Sequence, residues 1–150
     1  MISFLLVFIL AFISMEGVAW FAHKYLMHGF LWEFHVDHHD HSNRGFFEKN
    51  DSFFLVFALP GMLTIILGSV FGIWFLVAIG LGITVYGVCY FLVHDVFIHQ
   101  RFKWFQNANN RYFKAIRRAH KMHHKHLSKE DGECFGMLFV PFRYFQNQKK

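Results

Sequence analysis

The chain has 150 residues, which leaves room for one domain, residues 1–150. Hydrophobic residues make up 55% of the sequence and aromatic residues 21%, including 22 phenylalanines, and the formal net charge is +5. This apolar content exceeds that of a typical soluble domain, so the composition argues against a soluble protein and for one that lies in a membrane.

Two long apolar stretches predict three membrane-spanning helices. Residues 2–22 carry one charge, Glu16, and residues 53–93 carry none across 41 positions. About 20 apolar residues cross a bilayer core, so the second stretch holds two spans with a turn at 68–72. A cleaved signal peptide is the alternative for the first stretch, but that stretch lacks a basic start and runs directly into His23. The predicted fold is an all-α integral membrane protein with spans at about 2–22, 53–69 and 72–93.

The basic residues predict how these spans are oriented. All 15 Lys and Arg residues lie in 24–49 and 101–150, and such an excess marks the cytoplasmic side of a membrane. We therefore expect two cytoplasmic segments, 23–52 and 94–150, and an N-terminus on the opposite side.

The 12 histidines fall into two bands, 23–41 and 94–126, and both bands repeat one spacing. Each band has H-x4-H followed by H-x2-H-H. Neutral imidazole binds zinc, iron, copper and nickel, and ten imidazoles suffice for two ions at about five each, with a position left open for chemistry. The sequence predicts a dinuclear metal site whose ligands are His23, His28, His35, His38, His39, His94, His99, His120, His123 and His124.

Residues 111–127 are predicted to form an amphipathic helix at the cytoplasmic face. At about 100° per residue, His120, His123 and His124 project within about 100° of one another. His41 and His126 fall off the ligand face and are left out of the predicted ligand set. The ligand arc also holds Tyr112, Phe113, Ile116 and Leu127, and the neighbouring arc is basic, with Lys114, Arg117, Arg118, Lys121 and Lys125.

The two H-x4-H pairs fit a regular helix less well. Their members are about 140° apart, which is too wide for easy binding of one ion. Either each pair straddles the two metals, or the helix frays where it leaves the membrane.

Glu16 is the one charged residue inside a predicted span, where charges are costly and usually functional. We expect it to support a metal ligand through a hydrogen bond, to line a substrate channel, or to make a helix-packing contact. Asp37, Asp40 and Asp95 adjoin predicted ligands and are candidates to hydrogen-bond them.

Tyr86, Tyr90 and His94 are spaced at i, i+4 and i+8 on the third predicted span. This stripe predicts either the lining of a substrate channel or an aromatic belt at the membrane interface.

An all-imidazole dinuclear site at a membrane face fits non-haem iron that activates O2 for attack on a lipid. Five segments carry a resemblance to a known family: HKYLMHGFLWEFHVDHH, FEKND, YFLVHDVFIHQRF, RRAHKMHHKH and ECFGMLFVP. They resemble the bacterial non-haem β-carotene hydroxylases of the fatty acid hydroxylase superfamily, from about Glu16 to Pro141. Desaturases and alkane hydroxylases of the superfamily share such histidine spacing but are typically longer.

The resemblance implies hydroxylation of C3 and C3′ on the β-ionone rings of β-carotene, giving β-cryptoxanthin and then zeaxanthin. It also implies O2, electrons from reduced ferredoxin, two iron ions on the ten histidines named above, and a place in the bacterial inner membrane. A carotenoid ketolase, a fatty-acid or lipid hydroxylase, a zinc-dependent lipid hydrolase and a metal transporter are the alternatives. Zinc in overexpressed protein would not decide the native metal, because zinc binds such sites more tightly than ferrous iron.

Residues 101–129 hold nine cations and no acid. This patch can dock an acidic electron carrier or hold anionic lipid headgroups, and we expect no nucleic-acid partner.

The predicted orientation can be tested with reporters. A reporter fused to the N-terminus should lie outside the cytoplasm, and one fused after Lys150 should lie inside it, because three spans separate them. Protease accessibility in intact cells measures both. Both ends on one side would indicate a fourth span or a re-entrant segment, with 135–145 the first suspect.

Overall fold

Three long apolar helices form the membrane part of the chain. The computed structural model describes residues 1–40 and 45–146, and the regular elements in this part are all helical. The prediction of an all-α protein with three helices able to span a membrane is confirmed. The long helices are α1 (Ile2–Phe21), α3 (Leu55–Val70) and α4 (Trp74–Phe91), and the shorter ones are α2 (Trp32–His39) and α5 (Arg111–His123).

Each long helix continues beyond its regular α-helical part. α1 runs on as a π-helix over Ala22–Phe30, and α4 does so over Leu92–Ile98. A 3₁₀ segment, Lys49–Phe54, precedes α3. Apolar composition marks where the hydrocarbon core ends, but it does not mark where the helix ends. The continuous helices are Ile2–Phe30, Lys49–Val70 and Trp74–Ile98, compared with expected spans at 2–22, 53–69 and 72–93.

The turn between α3 and α4 begins later than the predicted 68–72, because α3 continues to Val70, and it occupies residues 71–73. Gly72 supplies the positive φ of this turn, +67°. Gly68 serves close packing instead, since a Cβ there would lie 2.8 Å from the backbone nitrogen of Val77.

α4 lies against both other spans, packing on α1 and α3. Met15, Ala19, Phe57, Ile83 and Tyr86 form the buried core among them. The outer faces of the spans remain apolar and exposed, as a lipid-facing surface requires; examples are Leu6, Leu10, Leu63 and Leu67.

Helix α5 is shorter than the predicted 111–127. Asn110 caps its start by accepting a hydrogen bond from the Phe113 amide, and the helix ends at His123. Leu127 therefore lies beyond the helix and is exposed, although the pattern placed it on the buried arc. The buried face consists of Ala115, Ile116, Ala119, His120 and His123.

Over the described residues after α5, 124–146, the chain returns to α1 and forms no other long helix. We call residues 126–139 the strap. The amides of Met137, Leu138 and Phe139 donate to the buried Glu16 carboxylate over 2.8–3.0 Å, and the Tyr86 hydroxyl donates to it over 2.6 Å. Residues 135–145, suspected as a further span, contain only the short 3₁₀ turn Phe142–Phe145.

Candidate metal centre

The π-helical segments explain the H-x4-H spacing. A π-helix makes i→i+5 hydrogen bonds, so residues five apart lie one turn apart on the same face. The amide of His99 donates to the carbonyl of His94 over 2.9 Å, and that of Leu31 to Leu26 over 3.0 Å, which are the bonds of this geometry. Neither expected arrangement, straddling pairs or frayed helices, is found. Each pair instead presents both rings to one cluster.

The ten predicted histidines gather into two clusters. Within each cluster, potential ligand atoms of all members lie within 4.8 Å of one another. His124 adjoins the second cluster, with its ring centroid 4.5 Å from that of His120, 4.7 Å from His38 and 4.9 Å from His99. The first cluster is His23, His28, His35, His39 and His123, and the second is His38, His94, His99 and His120.

The two H-x2-H-H motifs exchange their middle histidines. His35 and His39, at i and i+4 on α2, join the first cluster, whereas His38 joins the second. On α5 the pattern is reversed, because His123 joins the first cluster and His120 the second. Each centre is therefore built from one H-x4-H pair, the outer members of one motif and the middle member of the other.

Hydrogen bonds fix which ring nitrogens point inward. Seven Nδ1 atoms lie 2.7–3.2 Å from an oxygen that can only accept, so each carries the proton. The Nε2 atoms then face one another. The distances between Nε2 atoms are 3.2 Å for His23–His35, His28–His123 and His35–His39, and 3.0 Å for His38–His94.

This arrangement fits a bound cation. Two nitrogens that bind one ion at about 2.1 Å in perpendicular directions lie about 3.0 Å apart, close to the observed separations. In neutral imidazoles protonated on Nδ1, the facing Nε2 atoms carry lone pairs and cannot bond to each other. A metal ion between them would use these lone pairs.

Burial keeps four of these rings, His35, His38, His120 and His123, neutral. Loss of water contact lowers the pKa of His35 to about 2 and that of His123 to about 3. Burial, followed by repulsion from neighbouring imidazoles, also places the pKa values of His38 and His120 well below the ordinary range. These four rings are therefore neutral at pH 7, which is the form of imidazole that binds a metal ion.

The strap orients most of the first cluster through backbone carbonyls. His39 donates to the carbonyl of His126 over 3.0 Å, and His28 to that of Lys129 over 3.2 Å. His123 donates to Glu133 over 2.9 Å and His23 to Phe135 over 3.0 Å. The fifth ring, His35, donates to the Asn50 side-chain oxygen over 2.7 Å.

Carboxylates orient the second cluster instead. His38 donates to Glu48 over 2.7 Å and His94 to Asp95 over 3.2 Å. Arg101 ties the acids together, at 3.4 Å from Glu48, 2.7 Å from Asp51 and 3.1 Å from Asp95.

The predicted supporting residues have different positions. Asp95 contacts a ligand, whereas Asp37 accepts from the amide of Lys49 over 2.6 Å and so holds the segment that carries Glu48 and Asn50. Glu16 holds the strap and, among the described residues, contacts no histidine through a hydrogen bond.

Five further predictions concern two tyrosines and three residues outside the clusters. Tyr86 is fully buried on Glu16, whereas Tyr90 packs on His94 with ring centroids 5.3 Å apart. His126 supports His39 through its backbone only. Asp40 is an exposed residue at the end of α2. His41 lies outside the described residues.

Sequence reasoning missed Glu48, Asn50 and Arg101. The first two lie in the segment FEKND, which carries part of the family resemblance. The run of polar side chains at 48–52, directly before an apolar span, was the available signal.

Paired histidine clusters at the ends of membrane spans define a class of membrane metal-site proteins, and comparison with known proteins identifies the family. The family model for fatty acid hydroxylase matches residues 8–145. The chain belongs to the fatty acid hydroxylase family, as the resemblance implied.

Several relatives are similar over most of the chain. A β-carotene hydroxylase of Pantoea ananas is 45% identical over 129 residues, which cover 86% of this chain and 73% of the relative. One from Pseudescherichia vulneris is 42% identical over 90% of this chain and 76% of its own length. The chloroplastic β-carotene hydroxylase 1 of Capsicum annuum is 39% identical over 89% of this chain and 44% of its own length. No solved structure matches the chain.

The clusters predict metal content. Purified protein should contain two metal ions per chain, and His123→Ala or His38→Ala should each lower that content toward one, because each removes an inward-facing Nε2 from a different cluster. His126→Ala is the control, since its backbone carbonyl still accepts from His39. Elemental analysis measures all three, and full metal in either cluster variant would remove that histidine from the ligand set.

Proposed function

We propose that the chain hydroxylates C3 and C3′ of the β-ionone rings of β-carotene, giving β-cryptoxanthin and zeaxanthin. The reaction uses O2 at a di-iron centre held by the ten histidines, with electrons from reduced ferredoxin. The observation that carries the proposal is the pair of buried imidazole clusters at the ends of membrane spans, in a chain 45% identical to a β-carotene hydroxylase.

The ligand set supports iron over a zinc hydrolase. Zinc sites usually have three or four protein ligands, whereas the first cluster alone brings five histidines together. A transporter would hold its ion near the middle of the spans, but these clusters lie where the spans end.

The protein's own part is to hold and shield the ligands. Hydrogen bonds on Nδ1 fix the ring orientation before any substrate arrives, and burial excludes water from the Nε2 atoms. Two iron ions bound there would supply the activation of O2 and the oxidation of a C–H bond. The carotenoid would reach them from the bilayer, in which it dissolves.

We place the clusters on the cytoplasmic face of a bacterial inner membrane, where ferredoxin and anionic headgroups are available. Exposed lysines on and just after α5 support this: Lys114, Lys121 and Lys125 point to solvent. Arg117 and Arg118 are used in packing, since Arg117 lies 4.2 Å from the centre of the Phe97 ring and Arg118 donates to the Tyr144 carbonyl over 3.3 Å.

Pigment analysis tests the function directly. Expression in a bacterium that accumulates β-carotene should yield β-cryptoxanthin and zeaxanthin, measured by chromatography. His38→Ala should leave β-carotene unchanged, while His126→Ala, whose side chain lies outside both clusters, should retain activity.

Other products would indicate a different activity. Keto-carotenoids would indicate a ketolase, and hydroxylated fatty acids without carotenoid products would indicate a lipid hydroxylase. Equal product from His38→Ala would contradict a role for the second cluster.

Charge reversal tests the electron-donor surface. Lys114→Glu with Lys121→Glu should leave the metals bound, because both side chains are exposed and away from the clusters. Turnover supported by reduced ferredoxin should fall roughly tenfold and lose part of its salt dependence, because such charges act mainly on association. Turnover driven by a small chemical reductant is the control and should be unchanged. If ferredoxin-supported turnover also stays at the wild-type rate, the lysines serve headgroups only.

A further inference from the structure

A cavity of about 490 Å³ lies between the start of α3 and the end of α4. Phenylalanines dominate its lining, and several of them form an exposed lip. Phe54 is 64% exposed and Phe47 is 79% exposed. Because α3 and α4 are membrane-spanning helices, this lip opens at the edge of the lipid.

The inner wall of the cavity belongs to the metal centre. His94 lines it, with Tyr90 packed on the His94 ring and Phe57 packed on Tyr90 at a centroid distance of 5.5 Å. Asn50 and Asp95, which support a ligand of the first and the second cluster respectively, also line it. A molecule in this cavity therefore lies against the supports of both clusters.

The polar groups of the lining are already used. Arg101, the cation of this wall, makes ion pairs with Glu48, Asp51 and Asp95. The Asn50 oxygen accepts from His35. A fatty acid would need a cation for its carboxylate, whereas a neutral hydrocarbon ring needs only the aromatic surface. The lining thus favours an uncharged apolar guest.

The volume sets how much of the guest enters. Small-molecule pockets measure about 300–1,000 Å³, and this cavity is near the lower end of that range. A cyclic end group and the first carbons of a polyene fit such a space, while the remainder of a C40 chain stays outside the lip in the lipid.

We propose that this cavity binds one ring of the carotenoid, entering from the lipid between α3 and α4, and presents that ring to the second cluster at His94. The inference rests on the proposed function and adds where the substrate binds and from which side it arrives. A second groove, of about 620 Å³ between α1 and the strap, has no predicted histidine ligand in its lining.

Two glycines allow a matched test of the two spaces. Gly87 on α4 lines the cavity, and a Cβ there would meet only the Phe57 Cβ, at 3.4 Å. Gly17 on α1 lines the second groove, and a Cβ there meets nothing within 4 Å. Gly87→Leu fills the cavity, and Gly17→Leu makes the same chemical change elsewhere.

Three quantities are measured on purified protein in lipid vesicles: metal content, β-carotene retained, and kcat/KM for β-carotene. Gly87→Leu should keep both metals, retain less β-carotene, and show a kcat/KM lower by roughly tenfold or more. The reason is that a change of one methylene group in a hydrophobic pocket already alters kcat/KM by about tenfold or more. Gly17→Leu should stay within about twofold of wild type in all three.

Unchanged retention and turnover in Gly87→Leu would overturn the proposal, and a loss confined to Gly17→Leu would move the site to the second groove. If Gly87→Leu fails to fold or loses metal, Gly87→Ala is the deciding variant, because its added methyl group fits but narrows the cavity. An unchanged KM for β-carotene in Gly87→Ala would overturn the proposal, and a raised KM would support it. If wild-type protein retains β-carotene without oxidising it, the proposed function is wrong, whereas the assignment of the cavity as the binding site still stands.

Discussion

The structure depends on one constraint: unprotonated imidazole nitrogens face one another in a buried space. The Nδ1 protons of these rings are donated to oxygens outside the clusters, so the Nε2 lone pairs point toward one another. The facing Nε2 atoms lie 3.0–3.2 Å apart. Protonation would relieve the repulsion in water, but burial opposes it here. A metal cation bound between the rings would remove this repulsion, and the elements around the clusters hold the rings in this arrangement.

The two clusters are both made of imidazoles, but different groups support them. Four rings of the first cluster donate to neutral backbone carbonyls, whereas His38 and His94 of the second donate to carboxylates. A carboxylate partner makes an imidazole a more basic ligand than a carbonyl partner does. Two copies of one sequence motif therefore combine into two histidine clusters with chemically different supports. Arg101 limits the negative charge that accumulates beside the second position.

The sequence predicted the composition of the site better than its geometry. Histidine spacing predicted a set of ten rings that includes all nine members of the two clusters, and the 3.6-residue period placed His120 and His123 on the buried face of α5. The π-helices could not be predicted, because H-x4-H contradicts the period of a regular helix and only tertiary packing selects the wider turn. Glu48 accepts from His38, ten residues earlier in the chain, and Asn50 accepts from His35, fifteen residues earlier. No local sequence pattern predicts such contacts.

Glu16 shows why the surroundings of a charge matter more than its presence in a span. A carboxylate in the apolar part of α1 is costly when isolated. Here it accepts from four donors, the Tyr86 hydroxyl and the amides of Met137, Leu138 and Phe139. Those bonds draw the strap against α1, and the strap carries the carbonyls that orient the first cluster.

The same contacts close one side of the metal centre. Phe135 of the strap packs on His23, His28 and His123 at centroid distances of 5.5, 5.1 and 5.4 Å. The first cluster is thereby covered on the α1 side, while on the α4 side a ligand of the second cluster, His94, borders the phenylalanine-lined cavity. The centre is thus covered by Phe135 on the α1 side and borders a cavity on the α4 side. Through that cavity an apolar molecule can approach a histidine of the second cluster, His94.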